Sequence, residues 1–94
     1  MREEIVVDGL VAHAKATGWI PRKMAYRGRR GCRDLDCYGY GQIVMIEAKR
    51  PDGGDLSALQ ARERCRLAAA GLIVHVIDSV EEGRALLDRK RGGV

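Results

Sequence analysis

The sequence predicts an α/β fold in which helices flank a mixed sheet, with elements in the order α-β-β-β-α-β-α. Three observations lead to this prediction. Apolar residues recur at helical spacing in separate segments, a glycine-containing turn joins two apolar runs, and a strand–helix–strand unit follows that turn. A hairpin makes neighbouring strands antiparallel, whereas a strand–helix–strand unit makes them parallel, so the sheet should contain both arrangements.

The first half of the chain should form one helix and three strands. We expect them at residues 2–17, 19–26, 35–38 and 42–48. Gly18 ends the helix, and the stretch Tyr38-Gly39-Tyr40-Gly41 forms a hairpin turn because glycine accepts the positive φ of such turns. The unbroken apolar run from Ile43 to Ile46 predicts a central strand that is covered on both faces.

The second half should add a helix, a buried strand and a last helix. We expect them at residues 56–70, 72–77 and 80–90. Gly71 stops the first of these helices, and Ser79-Val80-Glu81-Glu82 has the form of a capping box for the other. A chain of 94 residues has room for one modest core, so we expect a single domain over residues 1–94.

Positive charge is concentrated in one part of the chain. The net charge is +4, and no acidic residue occurs between Asp8 and Asp34. That interval contains Lys15, Arg22, Lys23, Arg27, Arg29, Arg30 and Arg33. Such a cluster attracts a polyanion by releasing its condensed counterions, although a solvated basic loop that binds nothing has the same composition. We expect phosphate contacts with DNA from Arg27, Arg29, Arg30, Arg33 and Arg50.

Composition also excludes several classes of protein. A hydrophobic fraction of 46% is too high for a disordered tail, and the longest apolar runs are too short to span a bilayer. Three cysteines without a Cys-x-x-Cys pair favour neither a disulfide framework nor a zinc site. The N-terminus lacks the apolar core of a signal peptide, so the expected location is the cytoplasm.

Three ionisable residues are expected to meet at one end of the sheet. Glu47 and Lys49 are two residues apart at the end of the third strand, which places their side chains on the same face. The hairpin folds the start of the preceding strand, at Asp34, next to that end. Asp36 lies on the same face as Asp34 but further from Lys49, and is a weaker second candidate.

Two carboxylates at the mouth of a sheet suit Mg²⁺, with Mn²⁺ as a substitute, because hard cations prefer oxygen ligands. A bound metal stabilises charge on a phosphodiester and activates water, and an adjacent lysine can orient that water. The alternative is that Glu47 and Lys49 form an ordinary surface ion pair. The apolar strand before the pair, Asp34 across the hairpin and the nearby arginines favour phosphodiester hydrolysis.

The motifs also carry a resemblance to a known family. The stretches 29–34, 46–51, 56–60 and 70–79 resemble the VRR-NUC family of PD-(D/E)XK nucleases, and the match extends over nearly the whole chain. It implies a restriction-endonuclease-like PD-(D/E)XK core, divalent-metal-dependent cleavage and a helix glutamine near the active site, here Gln60. An ordinary exposed helix residue is the alternative for Gln60. The length is similar to that of the short stand-alone bacterial or phage members.

The sequence departs from the family pattern at two places. Arg33 replaces the proline that often precedes the aspartate, and Val7 stands where a metal-facing glutamate is common on the first helix. Glu3, one turn earlier on the stripe of Val7, is the first choice for that ligand and Glu4 the second. The alternative is that both glutamates only interact favourably with the positive end of the helix dipole and bind no metal.

These expectations combine into one active centre and one function. The active centre comprises Asp34, Glu47, Lys49, Gln60 and Glu3, with Asp34, Glu47 and Glu3 as the metal ligands. The resemblance implies a structure-selective DNA endonuclease, namely a homodimeric Holliday-junction resolvase. Cleavage of flaps, ends or foreign duplex DNA is the alternative specificity, and a non-catalytic DNA-binding module is the third hypothesis. The second helix and the apolar side of the first are candidate subunit contacts.

Overall fold

The computed structural model describes residues 3–24, 34–48 and 58–92. Its elements are α1 (Glu3–Ala16), β1 (Ile20–Lys23), β2 (Leu35–Gly39), β3 (Gln42–Ala48), α2 (Ala58–Ala69), β4 (Val74–Ile77) and α3 (Val80–Gly92). The predicted order of elements is therefore confirmed. Residues 25–26 of the predicted first strand and 56–57 of the predicted second helix lie outside the described residues.

The four strands form a mixed sheet in the order β1-β2-β3-β4. The pairs β1–β2 and β2–β3 are antiparallel, and β4 lies parallel to β3. The prediction that the third strand is central and covered is confirmed, because residues 44–48 are all buried. Ile43, at the start of the apolar run, is the exception and is 61% exposed.

The sheet has two different faces. On one face, α1 and α3 pack together and bury alternate residues of β2 and β3, including Leu35, Cys37, Val44 and Ile46. Side chains alternate between faces along a strand, so Asp36 and Glu47 project from the other face. On the apolar side of α1, Val6, Leu10 and Ala14 are buried in the core of the protomer, whereas Ile5 is half exposed. A subunit contact through α1 stays a prediction.

A two-residue hairpin turn sets the relation between β2 and β3. Gly39 pairs with Gln42, and the turn residues Tyr40 and Gly41 have φ angles of 51° and 71°, as a type I′ turn requires. Positive φ is unusual for tyrosine, and two contacts compensate. The Tyr40 hydroxyl donates a hydrogen bond to the carbonyl of Thr17, and its ring packs edge-on against Trp19 at 4.9 Å between centroids.

The fourth strand begins two residues later than expected. The amide of Leu72 donates to the carbonyl of Leu67 at 2.8 Å, and that of Gly71 to Ala68 at 3.0 Å. With Gly71 at φ 86°, these two bonds form a Schellman motif that ends α2. Leu72 therefore belongs to the helix end, and the strand starts at Val74.

The capping box at the start of α3 is confirmed in a shifted form. Ser79 Oγ accepts a hydrogen bond from the amide of Glu82 at 3.1 Å, as expected. The Glu82 carboxylate accepts in return from the amide of Asp78 at 3.2 Å, one residue earlier than in the standard motif. In the part of the chain that the structure describes, no helix has the length and apolar character needed to cross a membrane.

Candidate active site

Asp34 is anchored to β3 on both sides of Glu47. Its amide donates to the carbonyl of Ile46 at 3.0 Å, and its Oδ2 accepts from the amide of Ala48 at 2.7 Å. Its own carbonyl accepts from the amide of Met24 at 3.0 Å. The pairing of Leu35 with Ile46 brings the start of β2 to the end of β3. The hairpin therefore places Asp34 beside Glu47, as the sequence predicted.

Glu47 is a buried carboxylate with an amide against it. Its side chain is on the face opposite to the core, yet the residue is only 3% exposed. Gln60 of α2 donates a hydrogen bond from Nε2 to Glu47 Oε1. A buried carboxylate is costly unless hydrogen bonds replace its water, so this contact helps to hold the charge in place. The same contact places α2 on the site face of the sheet.

Asp36 lies two residues after Asp34, on β2, and further from Glu47. It faces Met45 in the strand register, is 2% exposed and accepts a hydrogen bond from the Tyr38 hydroxyl at 3.1 Å. On the core face, burial and then the charge of Asp36 raise the pKa of the Cys37 thiol to about 11. Asp36 is thus a separate buried acidic group with its own hydrogen-bond donor.

Several predicted site residues lie outside the residues that the structure describes. Lys49 and the arginines predicted to bind DNA, Arg27, Arg29, Arg30, Arg33 and Arg50, lie outside the described residues. The helix α1 begins at Glu3, but the side chains of Glu3 and Glu4 also lie outside the description. Val7, which defined the stripe chosen for Glu3, is buried in the core. The choice between the two glutamates stays a prediction.

The donor set fits a magnesium-type site better than a closed all-protein site. Within residues 3–24, 34–48 and 58–92, no group of three or more His, Cys, Asp or Glu residues is arranged to hold a metal. Mg²⁺ usually takes one or two carboxylates and completes its shell with water and substrate phosphate. Asp34 and Glu47 together meet that lower requirement.

Neither histidine belongs to this site. His13 on α1 lies 2.8 Å from Asp88 on α3, between Nε2 and Oδ1. His75 pairs with Ile46 in the β3–β4 register and therefore lies on the core face, opposite to Glu47. Its pKa is lowered by burial and by the nearby positive charges of Lys90 and Arg89.

One feature of the site was not anticipated from the sequence. The backbone amide of Ala48, between Glu47 and Lys49, is the group that holds the Asp34 carboxylate. Alanine has no ionisable side chain, so residue types alone do not indicate a role for Ala48. Strand geometry places the Ala48 amide in the plane of the sheet, but it does not tell which side chain this amide binds.

Comparison with known proteins adds two relatives. No protein-family model matches this chain. It is 38% identical over 80 residues to a protein named "Putative nuclease p44" from Acyrthosiphon pisum secondary endosymbiont phage 1, which covers 84% of this chain and 85% of that protein. A solved structure described as "VRR_NUC domain" superposes with a TM-score of 0.80 and 29% identity over 92% of this chain and 94% of the other. Sequence and fold thus agree that the chain belongs to the VRR-NUC family of nucleases.

Proposed function

We propose that the protein is a Mg²⁺-dependent DNA endonuclease, a single nuclease domain over residues 1–94 that hydrolyses phosphodiester bonds. The observation that carries this proposal is the pair of carboxylates, Asp34 and Glu47, held at one end of the sheet. Hydrogen bonds fix both carboxylates. Two acidic groups repel the phosphates of DNA, so a surface that only binds DNA would be weakened by them. The pair therefore favours catalysis over simple binding.

Each residue of the site has a distinct part in the proposed reaction. Asp34 and Glu47 would hold the metal, and Glu3 is the proposed third ligand. When bound, the metal stabilises charge on the phosphate and lowers the pKa of an attacking water. Gln60 orients Glu47 through the hydrogen bond to Oε1. Lys49, two residues after Glu47, would project from the same face and orient the water or neutralise the phosphate.

The proposed substrate is branched DNA, cut by a homodimer that acts as a Holliday-junction resolvase. Support comes from the likeness to a VRR-NUC domain over most of both chains and from a phage relative of similar length. The proposed place of action is the cytoplasm of a bacterium or of a phage-infected host. Cleavage of flaps, ends or foreign duplex DNA by the same site is the alternative.

The test is cleavage of labelled junction, flap, duplex and single-stranded DNA with Mg²⁺ or Mn²⁺, and with excess chelator. We expect cleavage with the metal, the fastest on junctions, and none with the chelator. Cleavage that persists in chelator would contradict the metal mechanism. Equal rates on all duplex substrates would contradict the resolvase assignment while leaving the nuclease assignment intact.

Substitutions test the residues in the same assay. Asp34→Asn, Glu47→Gln and Lys49→Ala should each abolish cleavage while the circular dichroism spectrum stays that of the parent protein. Glu81→Gln is the matched control, because Glu81 is an exposed carboxylate in the first turn of α3. A folded variant of Asp34, Glu47 or Lys49 that cuts at nearly the parent rate would remove that residue from the proposed mechanism.

A further inference from the structure

The helix α2 lies on the site face of the sheet but buries none of its residues. Its inner side consists of Gln60, Glu63 and Leu67, which are half-buried and recur at helical spacing. Gln60 contacts Glu47, so the N-terminal turn of α2 is next to the proposed metal site. Beyond that turn, Glu63 and Leu67 continue the half-buried inner side, and the outer side of the helix is exposed.

The exposed side of α2 carries an uncompensated positive charge. Arg62, Arg64 and Arg66 are all exposed, and none forms an ion pair among the described residues. The acidic residue of the helix, Glu63, is on the inner side. Arg62 and Arg66 are four residues apart, so they lie on one stripe, and like charges at this spacing destabilise an isolated helix. An anionic ligand would relieve that repulsion.

We propose that Arg62 and Arg66 bind backbone phosphates of duplex DNA that flank the cut phosphate across the width of α2. This inference rests on the proposed function. With a helical rise of about 1.5 Å per residue, the two arginines lie roughly 3 and 9 Å along the axis from Gln60. At 3.6 residues per turn, they are turned by about 200° and 240° from Gln60, so they lie on the side of α2 that faces away from the sheet. From there they reach phosphates across the width of the helix from the site. Arginine suits this role because its guanidinium group binds phosphate oxygens in a bidentate manner.

The same charges argue against α2 as a contact between subunits. In a two-fold symmetric interface, the same surface patch is contributed by both copies. Arg62 and Arg66 would then approach the same arginines of the second copy, whereas Glu63, the acidic residue of α2, lies on the inner side. The apolar residue that points inward, Leu67, is already half-buried within the protomer. A polyanion therefore suits this stripe better than a second copy of the chain.

The test compares three double variants in binding to a labelled duplex without Mg²⁺, over a range of salt concentrations. Arg62→Gln/Arg66→Gln should weaken binding about 10- to 100-fold near 0.1 M salt and flatten the log–log salt dependence by about two units. Arg62→Lys/Arg66→Lys should keep most of the affinity, because the charge is retained. The control is Arg84→Gln/Arg91→Gln on α3, which removes the same charge from exposed positions on the opposite side of the sheet.

Parent-like affinity and salt slope in the Arg62→Gln/Arg66→Gln variant would overturn the proposal. So would an equal loss in the α3 control, which would show an effect of total charge. A changed oligomeric state with unchanged DNA affinity would assign the stripe to a subunit contact instead. Because binding is measured without cleavage, failure of the parent protein to cut DNA in Mg²⁺ would count against the proposed function alone.

Discussion

Gln60 and Glu47 are joined by a hydrogen bond between α2 and β3, and in the proposed mechanism this contact makes Gln60 a positioning residue. Groups that orient a metal ligand typically account for about 10- to 100-fold in metal affinity or activity. We therefore expect Gln60→Ala to shift the Mg²⁺ dependence of cleavage to higher concentration by that factor. Gln60→Glu should be more damaging, because a second carboxylate would repel Glu47.

Leu59→Ala is the control for Gln60, because Leu59 is the adjacent residue of α2 and is 41% exposed. Its metal titration should match that of the parent protein. If Gln60→Ala and Gln60→Glu also titrate like the parent, the hydrogen bond to Glu47 has no part in metal binding.

Cys37 and Cys65 differ in reactivity for a physical reason. Burial, and then the charge of Asp36, raise the pKa of Cys37 from 9.0 to about 11, whereas Cys65 is exposed on α2. Because the thiolate is the reactive form, iodoacetamide at about pH 8 should modify Cys65 and leave Cys37 intact until the protein unfolds. Mass spectrometry of digested peptides identifies the modified residue. Modification of both at the same rate in folded protein would contradict this.

The raised pKa of Cys37 also predicts how the stability of the protein changes at alkaline pH. Between pH 9 and about 11 the unfolded chain has lost the Cys37 proton while the folded chain retains it. The free energy of unfolding therefore falls as the pH rises through this window. Below pH 9 Cys37 is protonated in both the folded and the unfolded chain, so its contribution to the free energy of unfolding is fully present.

The placement of Asp34 beside Glu47 could be predicted because it depends on the hairpin alone. The glycine-containing turn sets the register, and the register decides which strand ends meet. The hydrogen bond from Ala48 to Asp34 could not be predicted, since it depends on a side-chain rotamer. The position of Gln60 near the site came from the family resemblance. Lys49 lies outside the described residues and stays a prediction.

At the level of elements, sequence patterns identified types better than boundaries. The apolar run in β3 and the Ser79 capping box are local signals, and both elements lie where they were expected. The start of β4 was wrong by two residues because Leu72 satisfies a helix carbonyl instead of a strand partner. Alternation of apolar residues does not reveal this competition between a helix cap and a strand.

The packing of α1 against α3 depends on a glycine. A Cβ at Gly83 would lie 2.8 Å from Ile77 Cδ1 and closer still to the Leu10 side chain, which is fully buried. Leu10 has little room to move in a packed core, so an added methyl group should cost about 1–3 kcal/mol. We expect Gly83→Ala to unfold at a lower temperature, by about 4–8 °C for each kcal/mol in a domain of this size.

Gly92→Ala is the control for this prediction. Gly92 is the last residue of α3, and beyond its own helix backbone no described residue has an atom within 4 Å of the position that its Cβ would take. The substitution should therefore meet no steric obstacle. Alanine favours a helix over glycine by up to ~1 kcal/mol, and this variant should be neutral or slightly more stable. Equal thermal stability of the two variants would show that the helices separate easily at Gly83.

In the whole molecule, one face of the sheet forms the core and the other face forms the proposed active site. The face covered by α1 and α3 contains the hydrophobic core, and substitutions there should act on stability. The other face contains Asp34, Asp36 and Glu47 with α2 beside them, and substitutions there should act on metal and DNA. This division lets stability and activity be tested separately.

The last prediction is that the protein acts as a two-fold homodimer. The described residues of each chain provide one Asp34–Glu47 pair, whereas symmetric resolution of a four-way junction needs two cuts on opposing strands. A closed two-fold dimer is the commonest soluble assembly, and its symmetry matches that of the junction. Light scattering at micromolar concentration should therefore give twice the mass of 10.4 kDa. In mixtures with inactive Glu47→Gln subunits, heterodimers should nick one strand and leave the opposing strand intact. A strictly monomeric protein that cuts both strands in one binding event would overturn the dimer and the assignment as a resolvase.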